Sequence, residues 1–278
     1  MKENNELTIQ INSPIEHKTL KQDDYEIHYY VSGKENDDLI VFLHPAFSDH
    51  RAFNQQIDFF SKKYKVITID LIGHGLSKAN KSKDKIDVSA KHINEILEIE
   101  KAKNAHLIGV SMGSLIAQYF ALEYPEKTKS LTAVGGHDIN KENKEIGRAQ
   151  ISQNLGYIYR AIFSMKSFRK YAASLTTKTQ KAQALFFEST SNYERKSFLV
   201  MQGLQNIIKD RKEIKLQFPT LILVGEFDIE LAQRMSKEWY DELENSEYHL
   251  IKDAGHCVNM DKPDKFNALV MDFIEINK

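Results

Sequence analysis

Five short apolar runs, separated by helix-like stretches, restrict what this chain can fold into more than any other feature. They are "LIVFLH" (39–44), "YKVITIDL" (64–71), "AHLIGV" (105–110), "KSLTAVGG" (129–136) and "PTLILVGE" (219–226). Each is β-branched and apolar at both alternations, the pattern of a strand covered on both faces. Between them "HRAFNQQIDFFSKK", "KIDVSAKHINEILEIEKA" and "SLIAQYFALEYPEK" carry helical periodicity, and Pro125 should end the last. Strand and helix in alternation imply an α/β fold, a mostly parallel sheet with helices on both faces. "INSPIEHKTL" and "YEIHYYVSG" read as a hairpin leading into it, and "EYHLI" as a last strand, which makes eight.

The alternation breaks once. From about Gly136 to Leu216 no buried-strand pattern occurs, only helix-like segments rich in Tyr, Phe, Met and Lys. The expected organisation is a core of residues 1–135 and 217–278 with a helical cap, 136–216, inserted between the sixth and seventh strands. Such insertions leave parallel sheets at the strands' C-terminal ends, where these folds place ligands, so a lid is expected. A helical appendage that only adds stability is the alternative.

Bulk properties exclude several classes of function. Lys plus Arg number 38 and Asp plus Glu 39, a formal charge of −1 that favours neither nucleic acid nor an anionic membrane as main partner. The clusters "KSKDK" (81–85) and "KENKE" (141–145) mix signs and read as solvated surface. Cys257 is the one cysteine, so no internal disulfide forms. "MKENNELTIQ" lacks the apolar core of a signal peptide and no run reaches a membrane span, which makes a cytoplasmic protein the expectation. No metal-ligand spacing, dinucleotide fingerprint or phosphate loop occurs, and no cofactor is inferred.

"GVSMG" places Ser111 between Gly109 and Gly113, after a strand and before a helix. A sharp strand-to-helix turn forces the middle residue into a strained conformation, and side chains two positions either way would collide with backbone. The hydroxyl then stands clear of the sheet above a helix N-terminus, whose free N–H groups suit an oxyanion, Met112 N–H being the nearest. A small residue chosen for tight packing is the competing explanation. Serine needs a base, and the base an orienting carboxylate. Asp228, just past "LILVGE", and His256, in the loop after "EYHLI", follow in the order Ser, Asp, His, each after a strand.

These stretches resemble the α/β-hydrolase superfamily over nearly the whole chain. "LHPAFSDHRAF" looks like the family's oxyanion loop after the third strand and "DLIGHGLS" like the turn after the fourth. "GVSMGSLIAQYFALEYPEK" is similar to its nucleophile elbow and helix, while "VGEFD" and "AGHCVNMDKPDKFNALVMDFI" match its acid and histidine loops. The resemblance implies Ser111 as nucleophile, His256 as general base and then acid, Asp228 as the carboxylate that fixes the imidazole, and a lid between strands six and seven. It also implies Ala46 as the second oxyanion donor, with Phe47 the alternative, because Pro45 stands where the family usually has glycine and has no N–H to donate. Glu226 and Asp138 are weaker candidates for the acid. His44 and His74 occupy positions that the family uses for scaffolding hydrogen bonds, and Cys257 is expected to be a bystander.

The expected activity is hydrolysis of a small carboxylic ester, thioester or lactone through an acyl-enzyme on Ser111. The aromatic stretches "LGYIYRAIFSMKSF" and "ALFFE" suggest an apolar acyl or ring-bearing substrate, although such stripes also serve packing. A C–C bond hydrolase or lyase with the same triad is the first alternative, and a low-turnover small-molecule receptor on the same fold the second. No heptad or exposed edge indicates an oligomeric state.

Overall fold

The computed structural model describes residues 11–79, 84–142, 144–211, 216 and 218–277. The stretch "MKENNELTIQ", residues 81–83 of the first charge cluster, residue 143 of the second and residue 217 of the cap boundary lie outside them. Among the described residues eight long strands are formed: β1 (Glu16–Lys21), β2 (Tyr25–Ser32), β3 (Leu39–Leu43), β4 (Lys65–Ile69), β5 (Ala105–Val110), β6 (Thr128–Val134), β7 (Thr220–Gly225) and β8 (Ser246–Ile251). Ten helices accompany them: α1 (Asn54–Phe60), α2 (Ser89–Ile99), α3 (Met112–Glu123), α4 (Lys144–Phe163), α5 (Met165–Thr176), α6 (Gln180–Ser189), α7 (Leu204–Ile207), α8 (Glu230–Glu242), α9 (Val258–Asp261) and α10 (Pro263–Ile276).

The strand order is β1-β2-β4-β3-β5-β6-β7-β8, with the two-residue strand Lys78–Ala79 on β2. β1, β2 and β4 pair antiparallel, and every pair from β4 to β8 is parallel. Composition accounts for the difference. β2 alternates, burying Tyr25, Ile27, Tyr29 and Val31, whereas β3, β5 and β7 are buried at every position.

Two apolar cores result, one on each face. Leu39, Val41 and Leu43 of β3 meet Ile93 and Ile96 of α2 and Ile116 and Phe120 of α3. Ile40 and Phe42 share the opposite core with Phe60 of α1 and Phe266, Val270 and Phe273 of α10. α3 stops at Glu123, just before Pro125.

The chain leaves the sheet after β6 and returns at β7, the neighbour of β6, with α4 to α7 and a 3₁₀ stretch, Arg195–Gly203, between. This segment is helical, with no strand among its described residues. It enters both cores, Val200 and Ile207 in one, Tyr157 and Phe168 in the other. The order of strands reverses between β3 and β5, and the loops after those two strands carry Ala46 and Ser111. A crevice at the C-terminal rim of a parallel sheet forms where the order reverses.

Candidate active site

Ser111 closes β5 and caps α3 with φ 53° and ψ −117°. A non-glycine residue there stores about 1–3 kcal/mol of strain. The flanking glycines are what the turn requires. A Cβ on Gly109 would lie 2.3 Å from the Gly113 carbonyl oxygen, and one on Gly113 only 2.0 Å from that of Leu43. Ser111 N–H donates to Val134 O at 2.8 Å, and the Ser114 hydroxyl donates to Ser111 O at 2.6 Å. The elbow is therefore held from β6 and from the first turn of its own helix.

Asp228 and His256 stand after β7 and β8. Their loops are stapled by Glu226 N to Ile251 O and Phe227 N to Ala254 O, each 2.9 Å. They approach so closely that a Cβ on Gly225 would lie 2.0 Å from Gly255 O. His256 Nδ1 lies 2.7 Å from Asp228 Oδ2. A carboxylate only accepts, so Nδ1 carries the proton and Nε2 keeps its lone pair. Asp228 Oδ1 accepts from Ile229 N at 2.8 Å, which leaves the carboxylate one orientation. Burial disfavours the charged imidazole, but the Asp228 charge and hydrogen bond outweigh it and hold the His256 pKa above the ordinary histidine value.

The imidazole packs on Gly135, where a Cβ would stand 2.7 Å from His256 Cε1. Gly135 follows Val134, whose carbonyl holds Ser111 N, so hydroxyl and imidazole flank one short piece of backbone. Ser111 Oγ makes no hydrogen bond among the described residues. Catalytic hydrogen bonds of unliganded sites are often long and tighten with substrate.

The loop after β3 is built around His44. Leu71 N donates to His44 Nε2 at 3.1 Å, so Nδ1 carries the proton and donates to Pro45 O at 2.8 Å. With that carbonyl fixed and the peptide trans, Ala46 N–H points to the opposite side of the plane. Among the described residues the amides of Ala46, Phe47 and Met112 donate to no protein acceptor. Phe47 is left-handed at φ 71° and buries its ring against Tyr157, Phe168, Tyr193 and Phe198 of the inserted segment.

The other candidates are placed elsewhere. Glu226 Oε2 accepts from Asp253 N, and Asp138 Oδ1 accepts from Asn140 N. The Cys257 thiol is fully buried, and burial raises its pKa well above the usual range. His74 Nδ1 donates to Ile72 O at 3.1 Å, while its Nε2 has no partner among the described residues. Asp49, His50 and Asp70 offer ligand atoms within 4.8 Å of one another. Their oxygens are already engaged: Asp49 by Arg51 and Asn192, Asp70 by the His50 amide and ring, Leu76 N and Tyr30. The donor set is that of a closed structural network rather than of a cation site.

Sequence reasoning passed over Asp261. Its buried carboxylate accepts from Gly255 N at 2.9 Å, Lys178 N at 2.9 and 3.0 Å and Thr179 N at 2.8 Å. Cys257 N adds a bond to Thr176 O at 2.9 Å. The histidine loop is thereby fastened to the inserted segment. Only an aspartate soon after the histidine hinted at this, and its partners in the inserted segment lie 82 and 83 residues away.

A sheet of this order, a left-handed serine at an elbow and an Asp–His pair on the same rim accompany a match of residues 38–263 to the model of the alpha/beta hydrolase fold. The chain belongs to the α/β-hydrolase family. Curated α/β-hydrolases similar to it have diverse names. The 2-hydroxy-6-oxononadienedioate/2-hydroxy-6-oxononatrienedioate hydrolase of Pseudomonas sp is 27% identical over 273 residues, 89% of this chain and 91% of that one. Human monoacylglycerol lipase ABHD6 is 24% identical over 273 residues, 91% of this chain and 80% of that one. Among solved structures, the thermophilic esterase of Thermogutta terrifontis superposes with a TM-score of 0.79 at 16% identity, covering 95% of this chain and 100% of that one. The family is that of hydrolases, and no described helix is long and apolar enough to cross a membrane.

Proposed function

We propose that this α/β-hydrolase cleaves a small carboxylic ester, thioester or lactone through an acyl-enzyme on Ser111. One observation carries the reading: the 2.7 Å bond from His256 Nδ1 to Asp228 Oδ2, which leaves Nε2 basic beside the elbow that presents Ser111. Nε2 takes the hydroxyl proton as Oγ attacks the carbonyl carbon, and Asp228 stabilises the imidazolium. The tetrahedral oxyanion rests on Met112 N–H, at the N-terminus of α3, and on Ala46 N–H. Collapse expels the alcohol, thiol or ring oxygen with the proton from Nε2. Water, deprotonated by the same nitrogen, then releases the acid.

Residues 136–216 act as the lid in this reading. Its aromatic rings Tyr157, Phe168 and Tyr193 are buried against Phe47 and one another, so they set the position of the oxyanion loop more than they line a cavity. A small substrate held near the rim follows better than a large ring-bearing one.

Ser111→Ala should lower turnover of p-nitrophenyl butyrate by a factor on the order of a thousand or more, with an unchanged melting temperature. A fluorophosphonate should add covalently to Ser111 of the wild type. Wild-type turnover in the alanine variant would overturn the assignment. The 27% identical Pseudomonas hydrolase supports a second reading, cleavage of a carbon–carbon bond by the same residues. A panel of esters, lactones and β-diketones separates the two.

A further inference from the structure

The formal charge of −1 conceals a local imbalance. Between residues 146 and 187 the chain carries Arg148, Arg160, Lys166, Arg169, Lys170, Lys178 and Lys181 and not one Asp or Glu. That run takes in most of α4, all of α5 and most of α6.

The C-terminal half of α4 is also apolar where it should not be. Tyr157 and Ala161 bury one side of the helix. Leu155, Ile158, Tyr159, Ile162 and Phe163 lie outside, from 42% exposed at Ile158 to 72% at Phe163. Their spacing, i, i+3, i+4, i+7 and i+8, makes one continuous stripe. Single exposed apolar residues are ordinary, whereas five in a ridge mark a surface with a partner.

A basic groove of about 540 Å³ begins where the ridge ends, lined by Lys78, Met165, Arg169, Tyr193, Arg195 and Lys196 among others. Arg195 joins the two features, because its Nε donates to Ala161 O at 2.7 Å. Glu194, the one carboxylate lining the groove, is held by Lys78 at 3.2 Å and Lys196 at 3.0 Å.

We propose that the α4 ridge and the basic segment around it form the face by which the protein lies on an anionic lipid bilayer. Ile162, Phe163 and their neighbours enter the headgroup layer while the exposed Lys166 and Lys170 meet lipid phosphates. An apolar stripe flanked by cations is the pattern of a helix that rests in a membrane interface. A second copy fits less well. Two-fold pairing through the ridge would set this carboxylate-free stretch against its own duplicate, cation facing cation.

The test is co-sedimentation of the full chain with vesicles of phosphatidylcholine alone and of phosphatidylcholine with phosphatidylglycerol. Binding is expected to the anionic vesicles and should weaken as salt is raised. Ile162→Ser with Phe163→Ser should lower the partition coefficient about a hundredfold, and Lys166→Glu with Lys170→Glu at least about tenfold. Both pairs should melt at the wild-type temperature. Vesicle binding needs no turnover, so failure of the ester chemistry would leave it standing. Absence of binding to the anionic vesicles, or undiminished binding by both variants, would overturn the proposal. So would a dimer, seen by light scattering, that the two serines disperse.

Discussion

The strain at Ser111 is anchored at both ends, by Val134 O and by the Ser114 hydroxyl, and it is what lifts the proposed nucleophile above the sheet. His256, the proposed base, has a defined pH dependence. Its folded pKa is raised, so as pH falls the imidazole takes up its proton early and ceases to accept one from serine. Activity should therefore be full on the alkaline side of that pKa and decline below it. Asp228→Asn removes the charge that raises it. In the proposed mechanism kcat drops by a factor on the order of a thousand or more, and the acid limb of the kcat/KM profile moves to lower pH. A pH–rate series on the variant checks both. An unmoved limb would mean that another group governs the profile.

At the scale of elements, the loop that carries His256 is fixed from outside the sheet. Asp261 accepts from Gly255 on one side and from Lys178 and Thr179 on the other. An asparagine there would turn an NH2 group toward backbone donors. Asp261→Asn is expected to cost about 2–4 kcal/mol, a melting temperature lower by roughly 5–10 °C, and to reduce kcat more than it raises KM. Calorimetry and steady-state kinetics test it. The contrast with what the sequence reveals is instructive. Strands covered on both faces advertise themselves, because every position is apolar, and Asp228 and His256 stand out because each follows one. Gly109 and Gly113 could be interpreted from the turn alone. Asp261 could not, since it also binds the main-chain amides of Lys178 and Thr179, far off in the chain between α5 and α6, and no side-chain pattern records them. The aromatic stretches of the insertion were ambiguous for a related reason. Helical spacing shows that a stripe exists but not what covers it, and here Tyr157 and Phe168 are packed while Tyr159 and Phe163 face outward.

Over the whole molecule, buried histidines set the response to acid. Burial lowers His74 to about 3 and His92 and His137 to about 4, and Nε2 of each has no partner among the described residues. Depressed folded values mean that the unfolded chain takes up protons first. The stability these groups lend is complete above pH 6.5, the ordinary histidine value, and is lost as pH falls toward 4, by roughly 1.4 kcal/mol per pH unit for each histidine. Melting temperature measured from pH 7 to 5 should fall steeply, and His92→Leu should flatten the slope by less than about a third, because burial also holds His44 and His28 below the ordinary histidine value. Averages over the chain hide such features, just as the near-neutral charge hides the basic stretch from 146 to 187. β6 and β7 lie edge to edge although four helices intervene in the chain. Whatever is threaded out at Gly135 and back at Thr220 can thus be lengthened, shortened or exchanged without unzipping a single rung of the ladder, provided the mooring at 178–179 travels with it. In the proposed reading, substrate choice can diverge through changes in the insertion that leave the paired strands beneath it as they are.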